Sequence, residues 1–137
     1  MLRPDITAES LHERQAECLP GRFGLVVTRI AEGALDAEVA LQPWMMAPNG
    51  YLHAASVLLL ADTAAGYASI AHLPVGAKNF TTIELKSNFL GTVRDGTIRT
   101  ECRAEHLGRT THVWSCVVFG GDGRRIALFR CTQLVLW

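Results

Sequence analysis

The chain has 137 residues, the length of one ordinary domain, and 49% of them are hydrophobic, enough to bury a core without metals or disulfides. Its 13 basic and 13 acidic side chains cancel, so the sequence lacks the basic excess typical of a nucleic-acid-binding protein. No internal repeat, linker or low-complexity segment divides it, and we therefore predict a single domain over residues 1–137.

The four cysteines are far apart in the sequence and show no spacing typical of a metal site or a redox motif. They are Cys18, Cys102, Cys116 and Cys131. Because three of them fall in apolar, strand-like runs, we predict reduced, buried thiols that act as small hydrophobic side chains. Residues 1–17 carry charges throughout and lack the apolar stretch of a signal peptide, so we expect a cytoplasmic protein.

The polar segment over residues 5–18 is the first candidate element in chain order. Ser10 and Glu13 have the spacing of a capping box, which indicates the start of a helix. Pro20 and Gly21 follow, and both residue types are typical of the region just beyond a helix. We therefore predict one short helix in this segment, ended by the Pro-Gly pair.

Apolar runs separated by short glycine-containing turns predict β-strands. Two runs precede residue 50 and form a hairpin through Glu32-Gly33, and four follow residue 80. The predicted strands cover residues 23–30, 34–41, 81–90, 97–105, 111–119 and 125–136. Short turns between consecutive strands favour antiparallel neighbours.

The segment over residues 53–73 reads HAASVLLLADTAAGYASIAHL and is almost entirely apolar, with one carboxylate, Asp62, near its centre. Its length would suffice for a membrane span. The central charge and the alternating strands that follow favour instead a helix buried on all sides within a domain. We therefore predict an α+β fold, an antiparallel β-sheet wrapped around one long central helix, and no membrane association.

Asp62 is the most informative single residue. A carboxylate in an apolar helix is costly unless it is paired, hydrogen-bonded or protonated. One interpretation is a structural salt bridge to a strand cation such as Lys86, and the other is a catalytic carboxylate. The residue types alone leave both interpretations open.

The turn and helix start over residues 49–55 form a second candidate site. Gly50 marks the turn, and the first N–H groups of a helix have no intrahelical partner. Together with the helix dipole, such N–H groups favour a polarised carbonyl or an oxyanion. His53 is either part of this site or only a polar residue at the helix start.

The stretch GYLHAA at residues 50–55, followed by ADTA at residues 61–64, resembles the signature G-x-x-H-G-G…A-[DE]-[ST] of hotdog-fold acyl-CoA thioesterases. The phenylacetic-acid-degradation and 4-hydroxybenzoyl-CoA thioesterase types are the most similar. LGRT at residues 107–110, with the runs on either side, resembles the last two strands of that group. The resemblance extends over about residues 19–136 and implies a hotdog fold.

The resemblance implies a role for each residue of the motif. Asp62 falls on the family's carboxylate, which acts as a nucleophile or as a general base toward water. The backbone N–H of Ala54 falls on the group that polarises the thioester carbonyl, and His53 lines that site. The family often has Ser or Thr four residues after the carboxylate. Gly66 occupies that place here, and Thr63 is the residue that could supply the hydroxyl instead.

Two further departures concern the loop and the helix start. The family's His-Gly-Gly is His53-Ala54-Ala55 here. The backbone N–H is kept, but the added methyl groups narrow the space through which a substrate approaches it. The family usually carries Asn or Gln six residues before the His, to contact the carbonyl, and this chain has Ala47. Asn49 is nearby but displaced by two residues.

The implied substrate is an acyl thioester of CoA or of a carrier protein, with an aromatic or medium-chain acyl group. We expect Asn49, Gly50 and Ala55 to line the substrate and cations to hold the CoA phosphates, with candidates Lys86, Arg109 and Arg124. No metal or redox cofactor is needed, because an activated water or an acyl-carboxylate anhydride suffices. The alternatives are a non-catalytic acyl-CoA sensor and a hotdog hydratase or dehydratase.

The spacing of the candidate groups predicts an oligomer. His53 and Asp62 are nine residues apart, which along a helix is about 13.5 Å and half a turn out of phase. The N–H of Ala54 and the carboxylate of Asp62 therefore cannot both contact one thioester within one subunit. They can if a second copy lays its helix antiparallel beside the first. We predict an obligate homodimer, doubled into a homotetramer as in the resembling family.

Overall fold

Two β-strands precede the long apolar helix and four follow it. The computed structural model describes all 137 residues. Its helices are α1 (Ala8–Gln15), α2 (Leu19–Phe23) and α3 (Ala54–Ala71), and a single 3₁₀ turn covers Pro43–Met45. Its strands are β1 (Val26–Ala31), β2 (Ala34–Ala40), β3 (Asn79–Phe89), β4 (Thr97–Leu107), β5 (Thr111–Phe119) and β6 (Arg125–Leu136). The six predicted strands and the central helix are therefore confirmed, but the first strand begins later than predicted, because Phe23 ends α2 and β1 starts at Val26.

The strands form one antiparallel sheet in the order β1-β2-β4-β5-β6-β3, so β1 and β3 are its edges. The strand that follows α3 pairs with the last strand of the chain, with Leu85 opposite Cys131 in the register. The sheet curves around α3, which packs mainly against the five strands β2 to β6. This architecture confirms the predicted α+β hotdog fold.

One face of α3 is built from alanines. Ala61, Ala64, Ala65 and Ala68 are fully buried, and their small side chains let the sheet approach the helix closely. The opposite flank, which includes Leu59, is only half-buried. By length and composition α3 is the one helix that could span a membrane, and 56% of that stretch is buried inside the protein.

The N-terminal region differs from the prediction in two ways. The capping box of α1 is made by Thr7 and Ser10, whose side chains and backbone N–H groups bond reciprocally, so the helix begins at Ala8 and Ser10 is its third residue. Pro20 lies in the first turn of α2 instead of ending a helix. Proline is tolerated there because the first helical N–H groups have no partner to lose.

The cysteines were also predicted incorrectly. Cys102 of β4 lies directly opposite Cys116 of β5, with their Cα atoms 4.1 Å apart, and the two form a disulfide. Cys18 is an exposed free thiol, and Cys131 alone fits the prediction of a buried free thiol. The pairing depends on the register of two strands, which the spacing of 14 residues does not reveal.

Candidate active site

Asp62 lies in the middle of α3, half-buried and without a partner. Its Oδ1 atom is buried and accepts no hydrogen bond, and no salt bridge involves this carboxylate. Burial raises the pKa of Asp62 above its ordinary value, because desolvation disfavours the charged form. A buried polar atom that serves packing normally has a hydrogen-bond partner. The isolation of Asp62 therefore disfavours a purely structural role.

The alternative of a salt bridge between Asp62 and Lys86 is not realised. Successive side chains of a strand point to opposite faces of the sheet. Leu85 lines the pocket around Asp62, whereas Lys86 lines a separate depression with Ser115 and Arg130. Lys86 therefore lies on the outer face, away from the helix.

A pocket of about 480 Å³ surrounds the carboxylate of Asp62. Most of its walls are apolar, and they come from α2, the 3₁₀ turn, α3 and β3. The lining residues are Leu19, Phe23, Trp44, Ala55, Ser56, Leu58, Leu59, Asp62, Thr63 and Leu85. The Ser56 hydroxyl donates to the Met45 carbonyl oxygen at 2.7 Å, whereas the Thr63 hydroxyl makes no hydrogen bond within the chain.

The start of α3 leaves one backbone donor free. His53 is the N-cap, and its Nδ1 accepts a hydrogen bond of 2.9 Å from the Ala55 N–H. The N–H groups of Ser56 and Val57 both donate to the His53 carbonyl, at 2.9 and 3.4 Å. Ala54 is exposed and its N–H has no acceptor. The free donor is thus the N–H that the sequence motif singles out.

The capping bond also defines what His53 does. An imidazole nitrogen that accepts from a backbone N–H must be unprotonated, so the hydrogen of a neutral His53 resides on Nε2. Because His53 satisfies the N–H of Ala55, it keeps the helix start ordered while the N–H of Ala54 faces outward. His53 is exposed and adjoins this donor in the chain, and its place in the lining of the site stays a prediction.

The loop before α3 is fixed by Asn49, which sequence analysis had singled out, and by two residues that it did not find. Asn49 uses Oδ1 to accept the Tyr51 N–H at 3.2 Å, so its side chain shapes the turn around Gly50, whose φ is +83°. Arg94 Nε donates to the Gly50 carbonyl at 2.9 Å. Thr92 Oγ1 accepts the Leu52 N–H at 2.9 Å. Both of these anchors come from the β3–β4 loop, some 40 residues away, and no local signal marks them.

Gly66, at the place of the family's Ser or Thr, packs closely against Phe80. A Cβ atom added at this buried position would lie 3.0 Å from Phe80 Cζ. A serine or threonine would therefore require Phe80 to move. Thr63, next to Asp62 and in the same pocket, is the hydroxyl that the fold does make available.

The three cation candidates lie in different regions of the subunit. Lys86 is on the outer face of β3, and Arg109 sits in the β4–β5 turn with its guanidinium 4.9 Å from the ring centre of Trp137. Arg124 is in the β5–β6 turn, where Nε donates to Asp122 Oδ2 at 2.6 Å. One subunit does not bring them together, and their contact with CoA stays a prediction.

Ala54 and Asp62 line different pockets. Ala54 borders a pocket of about 450 Å³ with Tyr51, Phe89 and Leu90, which does not include Asp62. Eight residues of helix separate the two by about 12 Å along the axis. Within one subunit Ala54 and Asp62 therefore line different cavities.

Comparison with known proteins identifies the family. The model of the thioesterase superfamily matches residues 49–127, which include α3 and the loop before it. Proofreading thioesterase EntH from Klebsiella pneumoniae is 30% identical over 132 residues, 96% of each chain. A mutant of thioesterase PA1618 from Pseudomonas aeruginosa is 28% identical with a TM-score of 0.92, covering 98% of this chain and 97% of that one.

The PaaI protein of the Escherichia coli phenylacetic acid degradation operon shares the fold. It is 21% identical with a TM-score of 0.83, over 95% of this chain and 91% of that one. Thioesterase HI1161 from Haemophilus influenzae also shares the fold, with 22% identity and a TM-score of 0.91 over 98% of this chain and 94% of that one. The chain therefore belongs to the thioesterase superfamily and is a hotdog-fold thioester hydrolase.

Proposed function

We propose that this thioesterase hydrolyses acyl-CoA, with an aromatic or medium-chain acyl group, and that Asp62 is its catalytic carboxylate. The observation that carries the proposal is the buried, unpartnered Oδ1 of Asp62 in an apolar pocket of about 480 Å³. A raised pKa makes a carboxylate a stronger base, and a position inside a pocket lets it reach a bound reactant.

The reaction needs a base and a group that polarises the thioester carbonyl. Asp62 takes a proton from water, and the resulting hydroxide attacks the carbonyl carbon. The C–S bond then breaks as Asp62 returns the proton to the departing sulfur, which releases the carboxylic acid and the CoA thiol. If Asp62 attacks directly, the same bond breaks and water then hydrolyses the anhydride. The Ala54 N–H, free and at a helix N-terminus, stabilises the negative charge that develops on the carbonyl oxygen.

The site requires two subunits. Ala54 and Asp62 line different cavities of one chain, and an antiparallel second helix would bring one subunit's Ala54 to its partner's Asp62. The unpaired edge strand β3 supports this arrangement, because four large apolar side chains along and just beyond it are exposed. They are Ile83, Leu85, Phe89 and Leu90. We propose a homodimer, doubled into a homotetramer.

The remaining predicted residues take supporting roles in this proposal. Thr63 supplies the hydroxyl that orients water beside Asp62, and Ala55 lines the acyl pocket. His53 caps the helix, while Asn49 and Gly50 shape the loop that precedes it. Lys86, Arg109 and Arg124 are the candidates for holding the CoA phosphates across the assembled oligomer, and we place the enzyme in the cytoplasm.

Release of free thiol from a panel of acyl-CoA substrates tests the proposal. Asp62→Asn keeps the shape of the side chain and removes the base, so we expect turnover to fall by about two orders of magnitude or more. Asp62→Glu is the matched control, because it retains a carboxylate, and we expect it to keep a measurable part of the activity.

Two outcomes would contradict this function. If Asp62→Asn hydrolyses the best substrate within a few-fold of the wild-type rate, Asp62 is structural. If the protein binds acyl-CoA and releases no thiol from any member of the panel, it is a binding protein of this fold and not a thioesterase for CoA substrates.

A further inference from the structure

An aromatic pair closes one side of the Asp62 pocket. Phe23 of α2 and Trp44 of the 3₁₀ turn meet edge to face, with ring centres 5.3 Å apart and planes at 89°. Phe23 is buried, whereas Trp44 is 63% exposed. Leu19, one turn before Phe23, extends the same wall. All three residues lie outside residues 49–127, so this wall is not part of the region that matches the family model.

The position of Trp44 is set by the start of the catalytic helix. The carbonyl oxygen of Met45, the next residue, accepts two hydrogen bonds, from the Ser56 hydroxyl at 2.7 Å and from the His53 N–H at 3.2 Å. The Met45 side chain is itself buried in the core. The 3₁₀ turn is therefore tied to α3, and Trp44 is held beside the pocket by backbone contacts even though its ring is exposed.

The pocket offers almost no polar partner to a bound group. Ser56 is committed to Met45, so the free polar groups are the Asp62 carboxylate and the Thr63 hydroxyl beside it. No lysine, arginine or histidine of the subunit that supplies Asp62 lines the cavity. A hydroxyl or a charge on the far end of a bound acyl group would lose water there without gaining a hydrogen bond or an ion pair.

Resting on the proposed function, we infer that this pocket holds the acyl group and that the Phe23–Trp44 wall selects acyl groups that are apolar over their whole length. The acyl chain begins at the carbonyl carbon, which must come within reach of Asp62, and the pocket that Asp62 lines receives the chain. An apolar pocket rejects an added hydroxyl only moderately, by about 10-fold to 100-fold. A terminal carboxylate is rejected more strongly, because a buried charge without a counter-ion costs more.

Paired substrates test this selection. We expect kcat/KM for phenylacetyl-CoA to exceed that for 4-hydroxyphenylacetyl-CoA by about 10-fold or more. The same comparison of hexanoyl-CoA with adipoyl-CoA, which adds a terminal carboxylate, should give a larger ratio. Trp44→Ala should lower kcat/KM for phenylacetyl-CoA by about 10-fold and leave acetyl-CoA, which does not reach the wall, within about two-fold.

Two further variants separate a loss of contact from a loss of folding. Trp44→Phe keeps an aromatic face and should restore most of the phenylacetyl-CoA activity. Phe119 lies at the far end of β5, where the guanidinium of Arg99 stacks 4.2 Å from its ring centre. Phe119→Ala removes this ring and should leave the substrate preference unchanged. Circular dichroism of each variant verifies that it is folded.

The outcomes distinguish this inference from the function on which it rests. Equal hydrolysis of the apolar and the hydroxylated or charged partners, or a Trp44→Ala variant with unchanged preference, overturns the inference while Asp62-dependent thiol release continues to support the function. Absence of thiol release from every substrate overturns the function and the inference together.

Discussion

The Asp62 carboxylate has no hydrogen-bond or ion-pair partner, yet it lines a pocket that a small molecule can enter. Packing of the core does not require this combination. A carboxylate inside a protein normally gains a cation or several hydrogen-bond donors. The buried Oδ1 of Asp62 has neither, although Lys86 is only one residue from Leu85 in the pocket wall. Strand alternation turns Lys86 to the other face of the sheet. The carboxylate is therefore left with a raised pKa and no neutralising partner, as a base requires.

The raised pKa of Asp62 predicts the acid side of the pH profile. In the proposed mechanism the ionised form of Asp62 acts as the base or nucleophile, so turnover should rise as the pH increases through the pKa of Asp62 in the folded protein. We therefore expect the midpoint of the acid limb of kcat to lie above the ordinary aspartate value of 3.8. Rates measured with a saturating acyl-CoA between about pH 4 and pH 8 would show it.

Thermal unfolding provides a check on the same pKa that is independent of turnover. The folded state holds the Asp62 proton more tightly than the unfolded state, so this group favours folding below pH 3.8 and loses that contribution as the pH rises through the raised value. Asp62→Asn, which never ionises, should therefore be more stable than the wild type at neutral pH, by a margin that shrinks in acid. A margin that grows in acid would mean that the folded-state pKa is lowered.

At the scale of elements, α3 carries both groups of the proposed mechanism. Its N-terminus exposes the Ala54 N–H, and its middle carries Asp62, while its alanine face holds it against the sheet. The disulfide lies directly beneath this helix, because Cys102 Sγ and Cys116 Sγ are 3.9 and 3.7 Å from the Ala61 carbonyl oxygen. Strands β4 and β5 are thus covalently joined under the residue that precedes Asp62.

The disulfide should contribute measurably to the stability of the fold. It closes a segment with a sequence separation of 14, and a cross-link over a loop of this size restricts the unfolded chain enough to stabilise the fold by about 3 kcal/mol. Reduction should lower the free energy of unfolding by roughly that amount. The double variant Cys102→Ala, Cys116→Ala is the control, since reductant should not change its stability.

Counting thiols in the unfolded protein checks the bond itself. Without reductant, a thiol reagent should find Cys18 and Cys131 alone, and after reduction it should find all four cysteines. Four reactive thiols before reduction would show that Cys102 and Cys116 are not bonded in the protein as isolated.

How much of the structure could be predicted from the sequence depended on how far apart in the chain the interacting residues lie. The strands and α3 were predictable because alternation and apolar length are local: β5 and β6 end at the predicted residues, 111–119 and 125–136. The hairpin and the motif around Asp62 were local as well. The disulfide, the anchors of the loop at Thr92 and Arg94, and the clash of a Gly66 Cβ with Phe80 all join residues distant in sequence. No periodicity in one chain encodes such contacts.

At the scale of the whole molecule, the sheet edge beside the Asp62 pocket exposes large apolar side chains. An edge strand with exposed apolar side chains is a liability unless something covers it. β3 is such a strand, and its Leu85 borders the Asp62 pocket while Phe89 borders the pocket of Ala54. A second copy that pairs along β3 and α3 would cover this edge and join the two pockets into composite sites.

Subunit complementation tests the composite site with two inactive variants, Asp62→Asn and Ala54→Pro. Proline removes the free N–H of Ala54 and no existing hydrogen bond, and it is tolerated at the first position of a helix. His53, with φ −64° and ψ 134°, already has the extended conformation that a residue before proline needs. Ala54→Gly keeps the N–H and should stay active, which separates loss of the donor from loss of the side chain.

Mixed and reassociated in equal amounts, the two inactive variants should recover about a quarter of the wild-type activity. Half of the dimers formed are mixed, and each mixed dimer joins the Ala54 N–H of one subunit to the Asp62 carboxylate of the other at one of its two sites. The second site of that dimer contains both substitutions and is inactive. Native mass spectrometry of the mixture establishes that heterodimers form. Heterodimers without any recovered activity would place the N–H and the carboxylate of each site in the same subunit, which the 12 Å or so of helix between them argues against.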